Sequence, residues 1–180
     1  MTEPENDEIA CVARCLKGDA SAFEPLVNRY QRVLFTVALR LLGNADDARD
    51  ATQNAFVRAY ERLDSFDPSR RFFSWIYRIA VNESLNLRRS RRDHEPLPVT
   101  LEANGRATDG IEARELSERV QAALMTLSPE HREVVVMRHF ADLSYEEIAE
   151  TLDIPAKTVK SRLFSARQRL APLLAVGEGQ

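Results

Sequence analysis

Glycine is scarce in this chain, 6 residues in 180, and no purely apolar run exceeds a few residues. The first shortage leaves no glycine-rich loop to cradle a phosphate. The second leaves no membrane span, which takes about 20 consecutive apolar residues. Cysteine is scarcer still: Cys11 and Cys15 stand four positions apart, and with three scattered histidines they make no four-ligand metal site. No metal and no cofactor is expected. No nucleophile–base pair marks a catalytic residue either, so an enzyme is set aside. The opening MTEPENDE is acidic where a targeting leader would be basic, and a cytoplasmic protein without membrane insertion of its own is expected.

Alternating β-branched runs are also few. Apolar residues recur instead at three- and four-residue steps, which predicts an all-α protein. Near the N-terminus Ile9, Val12, Ala13 and Leu16 share one stripe, which places the two cysteines on the far side as exposed thiols of a peripheral helix. Two incidental cysteines are the expectation there, because cytosolic disulfides are rare.

The net charge is -3, which by itself speaks against nucleic acid. Its distribution speaks for it. Arg70, Arg71, Arg78, Arg88, Arg89, Arg91 and Arg92 face Glu83 alone, and Lys157, Lys160, Arg162, Arg167 and Arg169 run without an acid. Acids collect in residues 3–8, 46–50 and 142–153. Two basic islands in an acidic protein predict localised polyanion contacts.

Helical segments run from SAFEPLVNRYQRVLFTVALRLLG through ADDARDATQNAFVRAYERLDSF to FFSWIYRIAVNESLNLRRSRR, with Gly43-Asn44 ending the first and Asp67-Pro68-Ser69 breaking the second from the third. DHEPLPVTLEANGRATDG then loses the helical stripe and reads as a linker. Beyond it, helices are expected over 112–127, 129–140, 145–152 and 156–171, with Ser128-Pro129 as an N-cap and Ser144 to Glu147 as a capping box. The organisation is therefore two small helical domains, 1–92 and 112–174, joined by a flexible linker over 93–111 and followed by a tail over 175–180.

In SYEEIAETLDIPAKTVKSRLF, Ile148 and Leu152 lie on one face of a short helix, and Val159, Leu163, Ala166 and Leu170 form a stripe on a longer one. The connection of about three residues has the length of a helix-turn-helix. A recognition helix enters the major groove by its N-terminal end, where Lys157, Thr158, Lys160 and Ser161 fall. The lysines can reach guanine edges or phosphates. A solvated helix face in a bundle is the bland alternative.

The stretch SRRFFSWIYRIAVN interleaves Phe72, Phe73, Trp75 and Tyr77 with Arg70, Arg71 and Arg78, the mixture that single-strand sites use for bases and backbone. Aromatics at helical spacing more often form core. Phe73, Ile76, Tyr77 and Ala80 are expected to be buried.

Taken in order, DARDATQNAFVRAY, FSWIYRIAVN, the linker, LSPEHREVVVMRHF and LSYEEIAETLDIPAKTVKSRL resemble a bacterial sigma factor of the extracytoplasmic-function group, over about residues 20–172. The resemblance implies an alternative, non-catalytic sigma subunit that binds core RNA polymerase and directs it to a subset of promoter DNA. It implies that Pro155, Lys157, Thr158, Lys160, Ser161 and Arg162 read the -35 element as duplex. Arg70, Arg71, Phe72, Arg78, Asn82 and Asn86 would then read the -10 element as melted single strand, with a flipped base held near the two asparagines. Asp46, Asp47, Asp50, Gln53, Phe56 and Arg58 match the polymerase-docking helix. Asn54 departs from the glutamate usual there. An anti-sigma factor is a further implied partner. A self-sufficient helix-turn-helix regulator is the competing reading, but it gives no reason for the Phe72 to Asn82 region.

Overall fold

The computed structural model describes residues 3–92 and 111–175, all of whose regular structure is helical. The linker expected over 93–111 and the tail over 175–180 lie outside the described residues, except for Ile111 and Ala175, which close helix ends. The chain divides into two compact units.

The first unit is built on α1 (Glu3–Leu16), α2 (Glu24–Leu42), α3 (Ala45–Glu61) and α4 (Phe72–Arg92). The helix expected from Ser21 begins instead with a short 3-10 turn, Ala20–Phe23, and continues as α2, with Pro25 near its start where a missing N–H costs nothing. Leu26, Tyr30, Leu34, Val37, Ala38 and Leu41 form its buried stripe. Gly43 stops it in the left-handed region at φ 78°, as the sequence suggested. Along α3 the buried positions are small, Ala48, Ala51, Ala55 and Ala59, and larger neighbours such as Phe35, Leu39, Leu42 and Leu87 fill the space around Ala48 and Ala51.

The orientation of α1 corrects the sequence expectation. Its buried residues are Glu8, Val12 and Cys15, while Leu16 is 56% exposed and Cys11 is half-buried. A polar contact turns the helix: the Glu8 carboxylate accepts from the Tyr30 hydroxyl and from Arg29 Nη1 at 2.8 Å. Burial pushes the Cys15 thiol above its ordinary value, which disfavours the reactive thiolate. Burial, followed by the Glu8 carboxylate, holds the Tyr30 hydroxyl in its neutral form.

The second unit contains α5 (Ile111–Met125), α6 (Pro129–His139), α7 (Tyr145–Leu152) and α8 (Ala156–Ala175). Six consecutive residues of α6, Arg132 to Met137, are buried, so this helix is enclosed on every side. Arg132 is admitted because its guanidinium donates to the carbonyls of Leu124 at 3.0 Å, Met125 at 3.4 Å and Leu127 at 3.2 Å, satisfying the open end of α5. Ser128 occupies the N-cap position, yet its side chain makes no bond to the α6 backbone and pairs with His131 Nδ1 at 2.6 Å. The capping box at Ser144 is present: Glu147 N–H donates to Ser144 Oγ at 3.1 Å, and Ser144 N–H donates to Glu147 at 2.8 Å.

Candidate nucleic-acid interface

Two surfaces carry the candidate residues, one on each unit. On the first, the break between α3 and α4 is a built loop. Asp67 accepts from the Ser69 N–H at 2.9 Å, and the Arg70 N–H donates to the Asp67 carbonyl at 3.0 Å. These bonds from Ser69 hold the Asp67 carboxyl below its usual range. Arg70 Nε also stands 3.8 Å from that carboxylate, so the loop carries an anion beside its first arginine.

Beyond the loop, α4 presents Asn82 and Asn86 to solvent one turn apart, with Arg78 half-buried between them and the loop. Arg70 and Arg71 are exposed. Phe72 is not available as a base platform: it is 1% exposed and packs against Tyr30, Phe66 and Trp75 at centroid distances of 5.9, 5.3 and 5.5 Å. Its ring belongs to the core here, unlike the exposed Arg70 and Arg71 of the same motif. It is the first residue of α4, with its side chain turned down into the bundle. Ile76, Tyr77 and Ala80 are buried as expected, while Phe73 and Trp75 are half-buried.

Of the docking candidates on α3, Asp46, Asp50, Gln53 and Arg58 are exposed, and Phe56 is half-buried with its ring edge-on to Phe23. Asp47 differs. It is 5% exposed and turned inward in the first turn of α3, where the helix dipole favours a carboxylate, so it offers no open surface. Arg58 faces two acids, Glu61 at 3.5 Å and Glu83 of α4 at 3.8 Å.

On the second unit, Ile148 is fully buried, Leu152 is half-buried, and Val159, Leu163, Ala166 and Leu170 form the inner stripe of α8. Three residues join the helices. Asp153 takes the left-handed conformation at φ 53° and closes α7, and the Pro155 carbonyl accepts from the N–H groups of Thr158 at 2.8 Å and Val159 at 3.2 Å to open α8. Asp153-Ile154-Pro155 is the connection visible in the sequence, and aspartate tolerates the left-handed conformation that it takes there. With the stripe buried, Pro155 just before α8 is exposed; Lys157, Lys160 and Ser161 are exposed and Thr158 and Arg162 half-buried, all within the first two turns of α8. Phe164 follows on the same helix at 65% exposed, an apolar ring of the kind that meets thymine methyl groups.

Tyr145, which the sequence marked only as part of the capping box, has two cations over its ring: the guanidinium of Arg138 and the ammonium of Lys160, each 5.6 Å from the centroid. The positive charge of α8 is felt within the unit. His131 is held below the ordinary imidazole range by burial and then by Arg169, and His139 by burial and then by Arg167. Among the described residues no group of three or more His, Cys, Asp or Glu could hold a metal ion, and no helix is long and apolar enough to cross a membrane.

Each unit has its own family match. Residues 26–94 match Sigma-70 region 2, and residues 117–170 match Sigma-70 region 4. The class is thus a sigma factor built from these two regions. Within it, the chain belongs to the extracytoplasmic-function (ECF) sigma factors, alternative sigma factors that direct transcription. It is 34% identical to the ECF RNA polymerase sigma factor SigW of Bacillus subtilis, over 86% of this chain and 89% of that protein. It is likewise 34% identical to the ECF RNA polymerase sigma-E factor of Escherichia coli, over 94% and 95% of the two chains. Among solved structures it resembles CnrH in complex with the cytosolic domain of CnrY, with a TM-score of 0.68, 30% identity and coverage of 94% and 97%. It also resembles the sigma factor RpoE in complex with the anti-sigma factor NepR from Bartonella quintana, with a TM-score of 0.71, 25% identity and coverage of 87% and 98%.

Proposed function

We propose that this chain binds core RNA polymerase in the cytoplasm and carries it to promoters that it reads at two places. α7 and α8 form a helix-turn-helix that reads the -35 element as duplex, with Lys157, Thr158, Lys160, Ser161 and Arg162 at the groove. The Asp67–Arg71 loop and the exposed side of α4 read the -10 element as melted strand. There Asn82 and Asn86 supply hydrogen bonds to an extruded base, and Arg70, Arg71 and Arg78 hold the backbone. The exposed residues of α3 dock the polymerase, and an anti-sigma factor restrains the free protein. No bond is made or broken by the chain itself.

The observation that carries this reading is how each basic helix is laid: α4 and α8 bury their apolar stripes and leave polar and cationic side chains in solvent. Extruding a base costs a few kcal/mol of unstacking, which hydrogen bonds from a paired asparagine face can offset. The test is reconstitution. Purified protein should co-elute with core polymerase and redirect its start sites on a random promoter library. Failure to co-elute, or unchanged start sites, sinks the reading. Asn82→Ala should impair use of duplex promoters more than of templates already melted at the -10 element; equal losses on both would argue against a base pocket.

A further inference from the structure

We propose that Tyr145 is a positioning residue for promoter reading, its ring holding the Lys160 ammonium in the place from which it meets DNA. The inference rests on α7 and α8 acting as a helix-turn-helix, and deepens that reading.

Tyr145 is the first residue of α7, and the chain around it is pinned. The capping box ties Ser144, just before it, to Glu147, two residues after it, and α7 packs on α8, with Ile148 of the one and Val159 and Leu163 of the other buried. The half-buried ring therefore has little freedom. Lys160 lies over it from α8 and Arg138 reaches it from the end of α6, each 5.6 Å from the centroid. Arg138 is itself anchored, because its Nη1 donates to the Leu143 carbonyl at 2.9 Å.

A lysine on a surface helix otherwise sweeps a four-carbon stem through many rotamers, all of which must be given up when it binds an acceptor. The face of an electron-rich ring attracts the ammonium and narrows that search before DNA arrives. The same ring also gathers two like charges. Arg138 is paired with Asp142 at 3.5 Å, whereas Lys160 is exposed, so an approaching phosphate or guanine edge meets an ammonium already held in place. Phenylalanine would supply the ring face, whereas leucine would fill the space without it.

The test uses core polymerase reconstituted with the full chain and promoter fragments recovered from the random library, with affinity measured across a salt series. Tyr145→Leu should weaken binding about two- to fivefold, the range of an exposed cation–π contact, and Tyr145→Phe should restore most of it. Ring-fluorinated derivatives at position 145 should lose affinity stepwise as the face becomes less electron-rich, a trend that a purely packing role would not produce. Lys160→Ala should weaken binding, and the double variant Tyr145→Leu with Lys160→Ala should be no weaker than Lys160→Ala alone. Losses that multiply, or no fluorination trend, overturn the positioning role while leaving the helix-turn-helix reading intact. A Lys160→Ala variant and a Lys157→Ala variant that both bind as the parent does would overturn that reading and the inference with it. If Tyr145→Leu fails to fold, the fluorinated series decides the question alone.

Discussion

The two helices richest in cations, α4 in the first unit and α8 in the second, are used by the fold in different ways. α4 begins in an aromatic cluster, with Phe72 buried beneath Phe66 and Trp75, and its exposed asparagines, Asn82 and Asn86, come only a few turns later. Its neighbourhood contains acids: Asp67 beside Arg70, and Glu83 beside Arg58. α8 presents its cations at once, within two turns of Pro155, and two of the groups nearest that face, Tyr145 and Phe164, are rings. A rigid duplex can be read by a helix end offered directly to the groove, whereas a melted strand needs a recessed, braced surface onto which a base can be placed. The contrast lies in what supports each helix, more than in how much charge it bears.

The strongest challenge to this contrast is Phe72→Ala. If Phe72 braces the first unit, truncation should cost about 3–5 kcal/mol of its stability, and Phe72→Leu far less. Trp75 is the only tryptophan and packs against both Phe66 and Phe72, so its fluorescence during denaturation follows this unit. A stable Phe72→Ala variant with lost -10 selectivity would instead return the ring to the DNA.

Next in size is the charge on α8. Lys157→Ala should weaken promoter binding by the polymerase complex and lower its salt slope by about one if the lysine meets a phosphate. An unchanged slope with altered base preference would assign it to a base edge. Ser144→Ala removes half of the capping box and should cost about 1 kcal/mol in the second unit, measured by denaturation of the full chain. Its effect on binding should stay small unless α7 loosens.

The smallest effect is that of pH. His131 and His139 both have depressed values in the folded unit. The unfolded chain therefore takes up protons first, near the ordinary imidazole pKa of about 6.5. The stabilisation is whole above that value and is lost as pH falls toward the folded-state values. The second unit should melt slightly lower at about pH 5 than at pH 7.5, and His131→Gln should flatten that change. An equal pH response in parent and variant would remove His131 as its source.

Much of the fold was legible because its signals are local. The capping box at Ser144, the glycine stop at Gly43, the stripe from Val159 to Leu170 and the three-residue turn before α8 are each written in spacing alone. The register of α1 was not. An apolar stripe through Ile9 and Leu16 is the reasonable reading until Tyr30 and Arg29, more than twenty residues away, draw Glu8 inward. Arg132 likewise reads as a surface arginine until the carbonyls at the end of α5 surround it.

The candidate sites divide the same way. Exposure of Lys157, Lys160 and Ser161 follows from their phase against the buried stripe of their own helix, so sequence periodicity was enough. Phe72 and Asp47 share their motifs with exposed neighbours yet are buried, Phe72 by rings from other parts of the unit. What the sequence by itself determined is the helical character of the described segments, the capping box at Ser144 and the placement of charge, since each depends on residues within a few positions of one another. Tertiary structure alone decided which aromatics are core, how α1 is turned, and that Tyr145 meets both Arg138 and Lys160, because those contacts join residues from different helices.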